Sequence, residues 1–283
     1  MDTTRRNFFE ALAAAGAATA FGGCASVFGG GITRPVALQL WSVHKIFWDA
    51  PEKHLAAIRQ AGFDGVEFAG YGNRTAKQLA KMLGDAGLRC AGTHLCGDKE
   101  FSGDGLKKNL DFCAEAGIPA MCSAWADYDT RDGWVKFGKL MGEAAAAAEA
   151  HGVKIGVHNH CHEFTKKYDG RYAWDWIFAE ADKRLQLQLD TSQVVNPGFD
   201  CVTEIKKYPG RHFSIHVKEN VPSKDGYFGV PPDDGGRLVD WEGVVRCMEA
   251  DPSNKWYVIE CERRPDSLEP AAYNVAFLRR IRV

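Results

Sequence analysis

The chain has 283 residues, of which 45% are hydrophobic and 25% charged, a composition typical of a soluble globular protein with one large core. Its 35 basic and 37 acidic residues give a formal net charge of -2. A nucleic-acid partner usually requires a basic excess, so this balance argues against one.

The first 33 residues are typical of a targeting segment followed by a short linker. "TTRRNFF" precedes "ALAAAGAATAFGG", and a charged start before a short apolar run indicates an export signal, whereas the alternative is a frayed amphipathic helix. The Arg5-Arg6 pair predicts the twin-arginine route. "FGGC" is similar to a lipoprotein cleavage site, although the residues before Cys24 depart from the usual pattern, so a lipid anchor at Cys24 stays open. We expect an exported protein, either periplasmic or anchored to a membrane.

The nine cysteines do not form a disulfide or zinc pattern. No C-x-x-C pair occurs, which argues against a structural zinc site. Twin-arginine substrates are exported folded, so the fold would form in a reducing compartment. We expect Cys90, Cys113, Cys122 and Cys247 to be small buried apolar residues.

From residue 34 onward, short apolar strands alternate with amphipathic helices. The predicted strands are "VALQLWSV", "GVEFAG", "RCAGTHL", "AMCSAW", "KIGVHNH", "LQLQLDT", "FSIHVKE" and "KWYVIECE". The predicted helices are "PEKHLAAIRQAG", "TAKQLAKMLGDAG", "LKKNLDFCAEAG", "WVKFGKLMGEAAAAAEAHG", "YAWDWIFAEAD", "CVTEIKKYPG", "WEGVVRCMEAD" and "LEPAAYNVAFLRRI". Several helices end in a small residue followed by glycine, a common helix stop.

Eight strands, each followed by a helix, predict a parallel sheet in an α/β fold. Over residues 34–283, closure into a single-domain (β/α)8 TIM barrel is the natural arrangement. A doubly wound open sheet is the alternative, which the absence of G-x-G-x-x-G after the first strand disfavours.

Polar residues collect on one face of these strands and near their ends. In "LQLQLDT" the leucines share the face expected to pack on helices, whereas Gln186, Gln188 and Asp190 share the other. In "FSIHVKE" Phe213 is expected on the apolar face. His216 and Lys218 of the same strand are expected on the opposite face. In the remaining strands, the polar residues that share one face or stand at the carboxyl end of the strand, together with Trp41, are Gln39, Trp41, Glu67, His94, His158, His160, Glu260 and Glu262. Burying such groups without partners is costly, so we expect them to share a ligand at the carboxyl end of the barrel.

The motifs "LQLWSV", "VHNHCHEF", "LQLDT", "IHVKE", "GRLVDW" and "VIECE", in this order, resemble the xylose-isomerase-like TIM-barrel superfamily, in particular its sugar (phosphate) isomerase/epimerase branch. The resemblance covers essentially everything after residue 34. It implies one divalent metal ion held by a strand-5 glutamate, a strand-6 aspartate, a strand-7 histidine and a strand-8 glutamate. The last three positions correspond to Asp190, His216 and Glu260.

The strand-5 position departs from that pattern, because His158 stands where many relatives have glutamate. His158 is therefore predicted to ligate the metal or to act as an acid/base beside it. Catalytic roles are predicted for Glu260, His158 and Lys218. Lys218 would offset negative charge on the substrate, unless it forms an ion pair with Glu219 or Glu262. The residues expected to contact substrate are Gln39, Trp41, Glu67, His94, His160 and Glu163.

Carboxylates with imidazoles suit Mn²⁺ best within this prediction, with Mg²⁺, Co²⁺ or Zn²⁺ as alternatives. The resemblance implies an isomerase or epimerase that abstracts a proton next to the carbonyl of a sugar or keto-sugar, through an enediolate. A 3-keto-glycoside lyase acting by β-elimination is the second interpretation. A metal-dependent endonuclease and a non-catalytic sugar-binding module are weaker ones. Export and the acidic "PPDDGG" loop favour a non-phosphorylated saccharide, and a homo-oligomer is compatible with the sequence.

Overall fold

Eight parallel strands form the centre of the molecule. The computed structural model describes residues 30–219, 238–262 and 264–283. The strands are Val36–Gln39 (β1), Gly65–Ala69 (β2), Arg89–Leu95 (β3), Ala120–Ser123 (β4), Lys154–His158 (β5), Gln186–Asp190 (β6), Ser214–Val217 (β7) and Trp256–Ile259 (β8). All eight predicted strands are present, which confirms the strand assignment.

Helices follow the strands along the chain. They are Pro51–Gln60 (α1), Ala76–Ala86 (α2), Gly103–Ala116 (α3), Arg131–Ala148 (α4), Ala173–Ala179 (α5), Thr191–Val195 (α6), Cys201–Lys207 (α7), Trp241–Ala250 (α8) and Glu269–Leu278 (α9). A capping box at Thr75 begins α2, and left-handed Gly87 ends it. The prediction missed only the short α6, although its N-cap Asp190 was a usable signal.

The sheet closes on itself in the order β1-β8-β7-β6-β5-β4-β3-β2, with β1 paired to both β8 and β2. All of these pairings are parallel, so the carboxyl ends of the strands meet at one end of the barrel. The predicted TIM barrel is confirmed. A small antiparallel hairpin, Lys167–Tyr168 with Arg171–Tyr172, lies outside the barrel sheet.

Side chains alternate between the barrel interior and the helix layer as the period of two requires. Leu187 and Leu189 are fully buried in the main hydrophobic core, whereas Gln188 bonds to side chains of other strands across the interior.

Two expectations from the strand pattern are wrong in detail. The first strand ends at Gln39, because the Gln39 side chain accepts a hydrogen bond from the Trp41 amide and turns the chain into a 3₁₀ helix, Leu40–Val43.

The second correction concerns Phe213, which precedes β7 and does not join the helix-facing core. It packs instead with Ala120 and Cys122 in a separate cluster inside the barrel. Its ring lies against Gly156 of β5, where an added Cβ would stand 2.7 Å from Phe213 Cε1. The strand begins only at Ser214, so the alternation does not extend to the preceding residue.

Several sequence predictions fall outside the described residues. These are the Arg5-Arg6 export signal, the lipidation site Cys24, the "PPDDGG" loop and the first part of "GRLVDW". Within the described ranges, no helix is both long enough and apolar enough for a membrane crossing. The eight described cysteines are all free. Cys113 and Cys122 are buried as expected, whereas Cys90 and Cys247 are half-buried.

Candidate active site

Four side chains converge at the carboxyl end of the barrel. His158 ends β5, Asp190 ends β6, His216 lies within β7 and Glu260 follows β8 directly. Each offers a nitrogen or oxygen atom, and these atoms all lie within 4.8 Å of one another. The pairing of β6 with β7 places Asp190 and His216 side by side. All four side chains are buried, so the cluster is held by the rigid part of the fold.

Asp190 uses its two carboxylate oxygens differently. Oδ1 accepts hydrogen bonds from the amide and hydroxyl of Ser192, both at 2.9 Å, and from the amide of Gln193 at 3.1 Å. Oδ2 is buried and receives no hydrogen bond from the described residues. The N-terminus of α6 therefore fixes the carboxylate and leaves one oxygen directed at the cluster, as a metal ligand requires.

His216 is oriented from inside the barrel by Glu67 of β2. His216 Nε2 lies 2.7 Å from Glu67 Oε2, and Nδ1 lies 3.3 Å from Glu260 Oε2. Glu67 also accepts hydrogen bonds from Gln39 Nε2 and Gln188 Nε2, each at 2.6 Å. A carboxylate that holds one nitrogen of a histidine leaves the other free for a metal, which is the usual arrangement behind a metal-binding imidazole.

Glu67 and His216 each favour the charged form of the other. Burial alone would raise the pKa of Glu67, but His94 and His216 together with the hydrogen bonds lower it below 4.5. Burial alone would lower the pKa of His216, yet Glu67 and Glu260 raise it to about 10. In the metal-free chain His216 is therefore protonated near neutral pH, and a metal would displace that proton.

His158 is neutral and has an unused nitrogen. Burial, with smaller contributions from the charges of His216 and His94, lowers its pKa well below 6.5. Its Nδ1 is buried and has no hydrogen-bond partner among the described residues. Nε2 lies 4.0 Å from Asp190 Oδ2. A neutral imidazole with a free lone pair can ligate a metal or accept a proton.

Glu260 is ionised beside a buried ammonium. Lys218 Nζ lies 3.4 Å from Glu260 Oε2, 3.5 Å from Asp190 Oδ2 and 2.8 Å from Glu262 Oε2. Burial would raise the pKa of Glu260, but Lys218 and His216 lower it strongly. The same three carboxylates overcome the effect of burial and raise the pKa of Lys218. Lys218 therefore stays charged, and the alternative pairing with Glu262 is present in the structure.

The loop after β5 is held together by Glu163. Its Oε2 accepts the His160 amide at 2.8 Å, and its side chain is fully buried. Burial raises the pKa of Glu163 well above 4.5. His160 faces the open end, packs against the half-exposed Trp125, and has its pKa lowered by burial to about 4. "HNHCHEF" thus supplies His158 and His160 to the site and uses Glu163 within the loop.

The residues present fit a divalent metal. Two carboxylates and two imidazoles form a four-ligand set without thiolates, which suits hard or borderline divalent ions. Asp190 Oδ2 and His158 Nδ1 are buried polar atoms without a hydrogen-bond partner in the described part of the chain, and such atoms are costly unless a ligand satisfies them. The structure thus contains a cluster able to hold one ion.

A cavity of about 960 Å³ opens above the cluster. Among its lining residues are Trp41, His94, His158, His160, Glu260 and Glu262. Gln39, Glu67 and Glu163, also predicted to contact substrate, are fully buried and do not line this cavity. Their role as substrate contacts stays a prediction. The structure instead places Gln39 and Glu67 beneath the cluster of His158, Asp190, His216 and Glu260, and it places Glu163 inside the loop after β5.

The model of one protein family, described as the xylose isomerase-like TIM barrel, matches residues 55–281. The chain belongs to this family. A sugar phosphate isomerase/epimerase from Parabacteroides distasonis has a similar structure, with a TM-score of 0.73 over 91% of this chain and 99% of that one. Its sequence is 20% identical, so the likeness establishes the fold.

Two curated proteins are similar to this chain in sequence. The rhizopine catabolism protein MocC of Rhizobium meliloti is 22% identical over an alignment of 264 positions that covers 80% of this chain and 79% of that protein. The inosose dehydratase of Clostridium beijerinckii is 26% identical over 159 residues, about half of each chain.

Glu262, which the sequence places in phase with Glu260 and offers as a partner of Lys218, joins the cluster through that lysine. One feature of the site was not singled out from the sequence. The cavity extends along residues 69–76 after β2 and along α3. Those residues form no strand-end pattern, so strand periodicity could not reveal them.

Proposed function

We propose that the protein is a metal-dependent enzyme that isomerises or epimerises a sugar or keto-sugar by moving a proton next to a carbonyl. The observation that carries this proposal is the buried cluster of His158, Asp190, His216 and Glu260 at the base of a solvent-accessible cavity, in which Asp190 Oδ2 receives no hydrogen bond from the described residues. When bound by these four residues, a divalent ion, most simply Mn²⁺, supplies a Lewis acid that polarises the substrate carbonyl.

The chain's own residues supply the proton transfer. Glu260 and His158 both line the cavity, and they come from β8 and β5, which β6 and β7 separate in the sheet. An ionised Glu260 and a neutral His158 can each accept a proton from a substrate carbon. The role proposed for Lys218 is to stabilise negative charge on a substrate oxygen, in addition to its ion pairs with Glu260 at 3.4 Å and with Glu262 at 2.8 Å.

A lyase is the second candidate, because it would share the first step. One relative is described as a dehydratase, and elimination of a group next to a carbonyl begins with the same proton abstraction. In this case the carbanion expels a β-substituent instead of being reprotonated. The two reactions therefore differ in the product and agree in the residues that start them.

The test combines substrate profiling with isotope exchange. Protein loaded with Mn²⁺ is incubated in D₂O with ketoses, 3-keto-glycosides and abasic-site DNA, and products are followed by NMR and gel. Deuterium should enter the sugar carbon next to the carbonyl, and EDTA should abolish the exchange. Full activity of the metal-free protein would overturn the proposal, and cleavage of the DNA alone would replace it with a nuclease.

One variant separates the two roles proposed for His158. In His158→Ala, retained metal with lost deuterium exchange identifies a base, whereas lost metal identifies a ligand. His212→Gln is the matched control, since His212 is a buried histidine bonded to the Ile205 carbonyl, outside the cluster. If His158→Ala keeps metal and turnover as the control does, His158 has neither role.

We further propose export through the twin-arginine route, which rests on the Arg5-Arg6 pair. Replacing both residues with lysine should leave the protein in the cytoplasm, as measured by fractionation. Fatty-acid labelling of the parent and of Cys24→Ala tests the lipid anchor separately. Arrival of the double-lysine variant in the envelope would exclude this route.

A further inference from the structure

The cavity is larger than a single sugar ring at the metal requires. Its volume of about 960 Å³ is near the upper end of the range of about 300–1,000 Å³ found for ligand pockets. It runs from His158 and Glu260 outward to the loop 69–76 and helix α3. The outer part, lined by Tyr71, Arg74, Lys108 and Phe112, is here called the outer subsite.

One wall of the outer subsite is aromatic. Tyr71 and Phe112 stack with their ring centroids 4.0 Å apart and their planes 26° apart. Both side chains are half-buried, so part of this surface faces the cavity. Such a wall favours contact with the flat face of a ring, because aromatic surfaces gain by packing against extended apolar area.

The outer subsite also carries hydrogen-bond donors that the described residues leave unused. The side chains of Arg74 and Lys108 make no hydrogen bond or ion pair with a described residue, and Arg74 lies over the Trp48 ring at 5.8 Å. The acids of the same cavity do have partners, since Glu100 accepts from Asn109 and Glu115 lies 3.8 Å from Lys77. A ligand with acceptor oxygens therefore finds two free cationic donors.

The loop that presents Tyr71 and Arg74 packs closely against Trp48. Gly70, Gly72 and the non-glycine Asn73 all have positive φ, at 74°, 55° and 55°. An added Cβ at Gly72 would lie 2.3 Å from Trp48 Cζ2, so the loop packs tightly on that indole. Glycine adopts these angles without strain and asparagine tolerates them, and the contact with Trp48 holds the loop beside the cavity.

We infer that the outer subsite binds a second ring, attached as a glycosidic substituent to the sugar whose carbonyl lies at the metal. The shared chemistry is a ring with an apolar face and acceptor oxygens, which a sugar or an aryl group can supply. This inference rests on the proposed function, because it names the substrate class of the same site. It assigns Phe112 and Lys108 to specificity for glycosides over free monosaccharides.

The experiment compares substituents on one reacting sugar. The kcat/KM of the Mn²⁺-loaded protein is measured for methyl, 4-nitrophenyl and glucosyl 3-keto-glucosides. The ring-bearing substrates should be preferred over the methyl glycoside, and the better of the two distinguishes an aryl from a sugar ring. Phe112→Ala should reduce the ring-to-methyl ratio about tenfold and Lys108→Ala about fivefold, whereas Lys107→Ala, on the same helix and outside the cavity lining, is the control.

A binding measurement without turnover separates the outer subsite from the proposed enzymatic function. Calorimetry with the non-reacting phenyl and methyl β-glucosides requires no turnover. Selective binding of the phenyl glycoside that is weakened by Phe112→Ala supports the outer subsite even if no substrate reacts. Turnover of ketoses without any ring preference, in rate or in binding, overturns the outer subsite and leaves the proposed function in place.

Discussion

The ammonium of Lys218 is expected to stabilise the metal-free protein by compensating three carboxylates. Its side chain is 13% exposed, and Nζ lies 2.8–3.5 Å from Asp190, Glu260 and Glu262. In Lys218→Met these three carboxylates would lose the ammonium, and among the described residues only the imidazolium of His216, 3.3 Å from Glu260, would remain beside them. Removing one partner of a buried ion pair costs about 3–5 kcal/mol, because the remaining charge is left uncompensated.

For a chain of this size, that loss corresponds to a fall in Tm of about 6–20 °C in EDTA. The deficit should be largest at pH 8. Burial and the charge of Glu260 raise the pKa of Glu262, and loss of Lys218 removes a charge that lowers it, so lowering the pH protonates Glu262 and relieves the repulsion. A divalent ion should recover part of the loss, since it restores positive charge beside Asp190 and Glu260.

The matched control is Lys207→Met. Lys207 Nζ lies 2.8 Å from Glu204 Oε1, but its side chain is 38% exposed, so its loss should lower Tm by less than about 4 °C. Thermal melts by circular dichroism at pH 6 and pH 8, with EDTA and with Mn²⁺, measure all of these effects. If Lys218→Met melts in EDTA as Lys207→Met does, with no dependence on pH, Lys218 does not compensate buried charge.

Three further outcomes are expected. Glu67→Gln should weaken Mn²⁺ affinity about 10–100-fold at pH 8 by calorimetry, because the strand-7 histidine loses its orienting carboxylate; equal affinity in Glu67→Gln and in a Glu204→Gln control would contradict this role. Burial lowers the pKa of His212, so as the pH drops below about 6.5 the unfolded chain takes up a proton that the folded chain does not, and the free energy of unfolding falls. Chemical denaturation of His212→Gln should therefore show a flatter dependence of that free energy on pH, and the same dependence as in the parent protein would contradict this role of His212. Gly156→Ala should cost about 1–3 kcal/mol in denaturant melts, because its Cβ would stand 2.7 Å from the Phe213 ring, and Phe213→Leu in the same chain should recover part of that cost.

The barrel could be predicted because strand periodicity reports which face a side chain takes. In β6 the alternation of leucine with Gln186, Gln188 and Asp190 separates the helix layer from the interior. The same alternation brought His158, Asp190, His216 and Glu260 to one end of one fold, and the structure places their ligand atoms within 4.8 Å of one another. Local pattern was sufficient because parallel strands align their ends.

The position of an inward-pointing side chain along the barrel axis could not be predicted from strand periodicity. A period of two shows that Gln39 and Glu67 point inward, but the stagger between strands decides whether they meet the cavity or lie below the metal cluster. The turn at Leu40 likewise depends on one side-chain hydrogen bond to the Trp41 amide. The outer subsite combines the loop 69–76 with helix α3, and their proximity exists only once the barrel has closed.

Asp190 satisfies two unrelated demands with its two oxygens, one for the start of α6 and one for the cluster. A neutral asparagine could still accept the amide hydrogen bonds, whereas alanine could not. Asparagine at this position would therefore keep the start of α6 while removing a negative charge from the cluster. Alanine would remove both, so a comparison of the two substitutions separates what the fold needs from Asp190 and what the cluster needs from it.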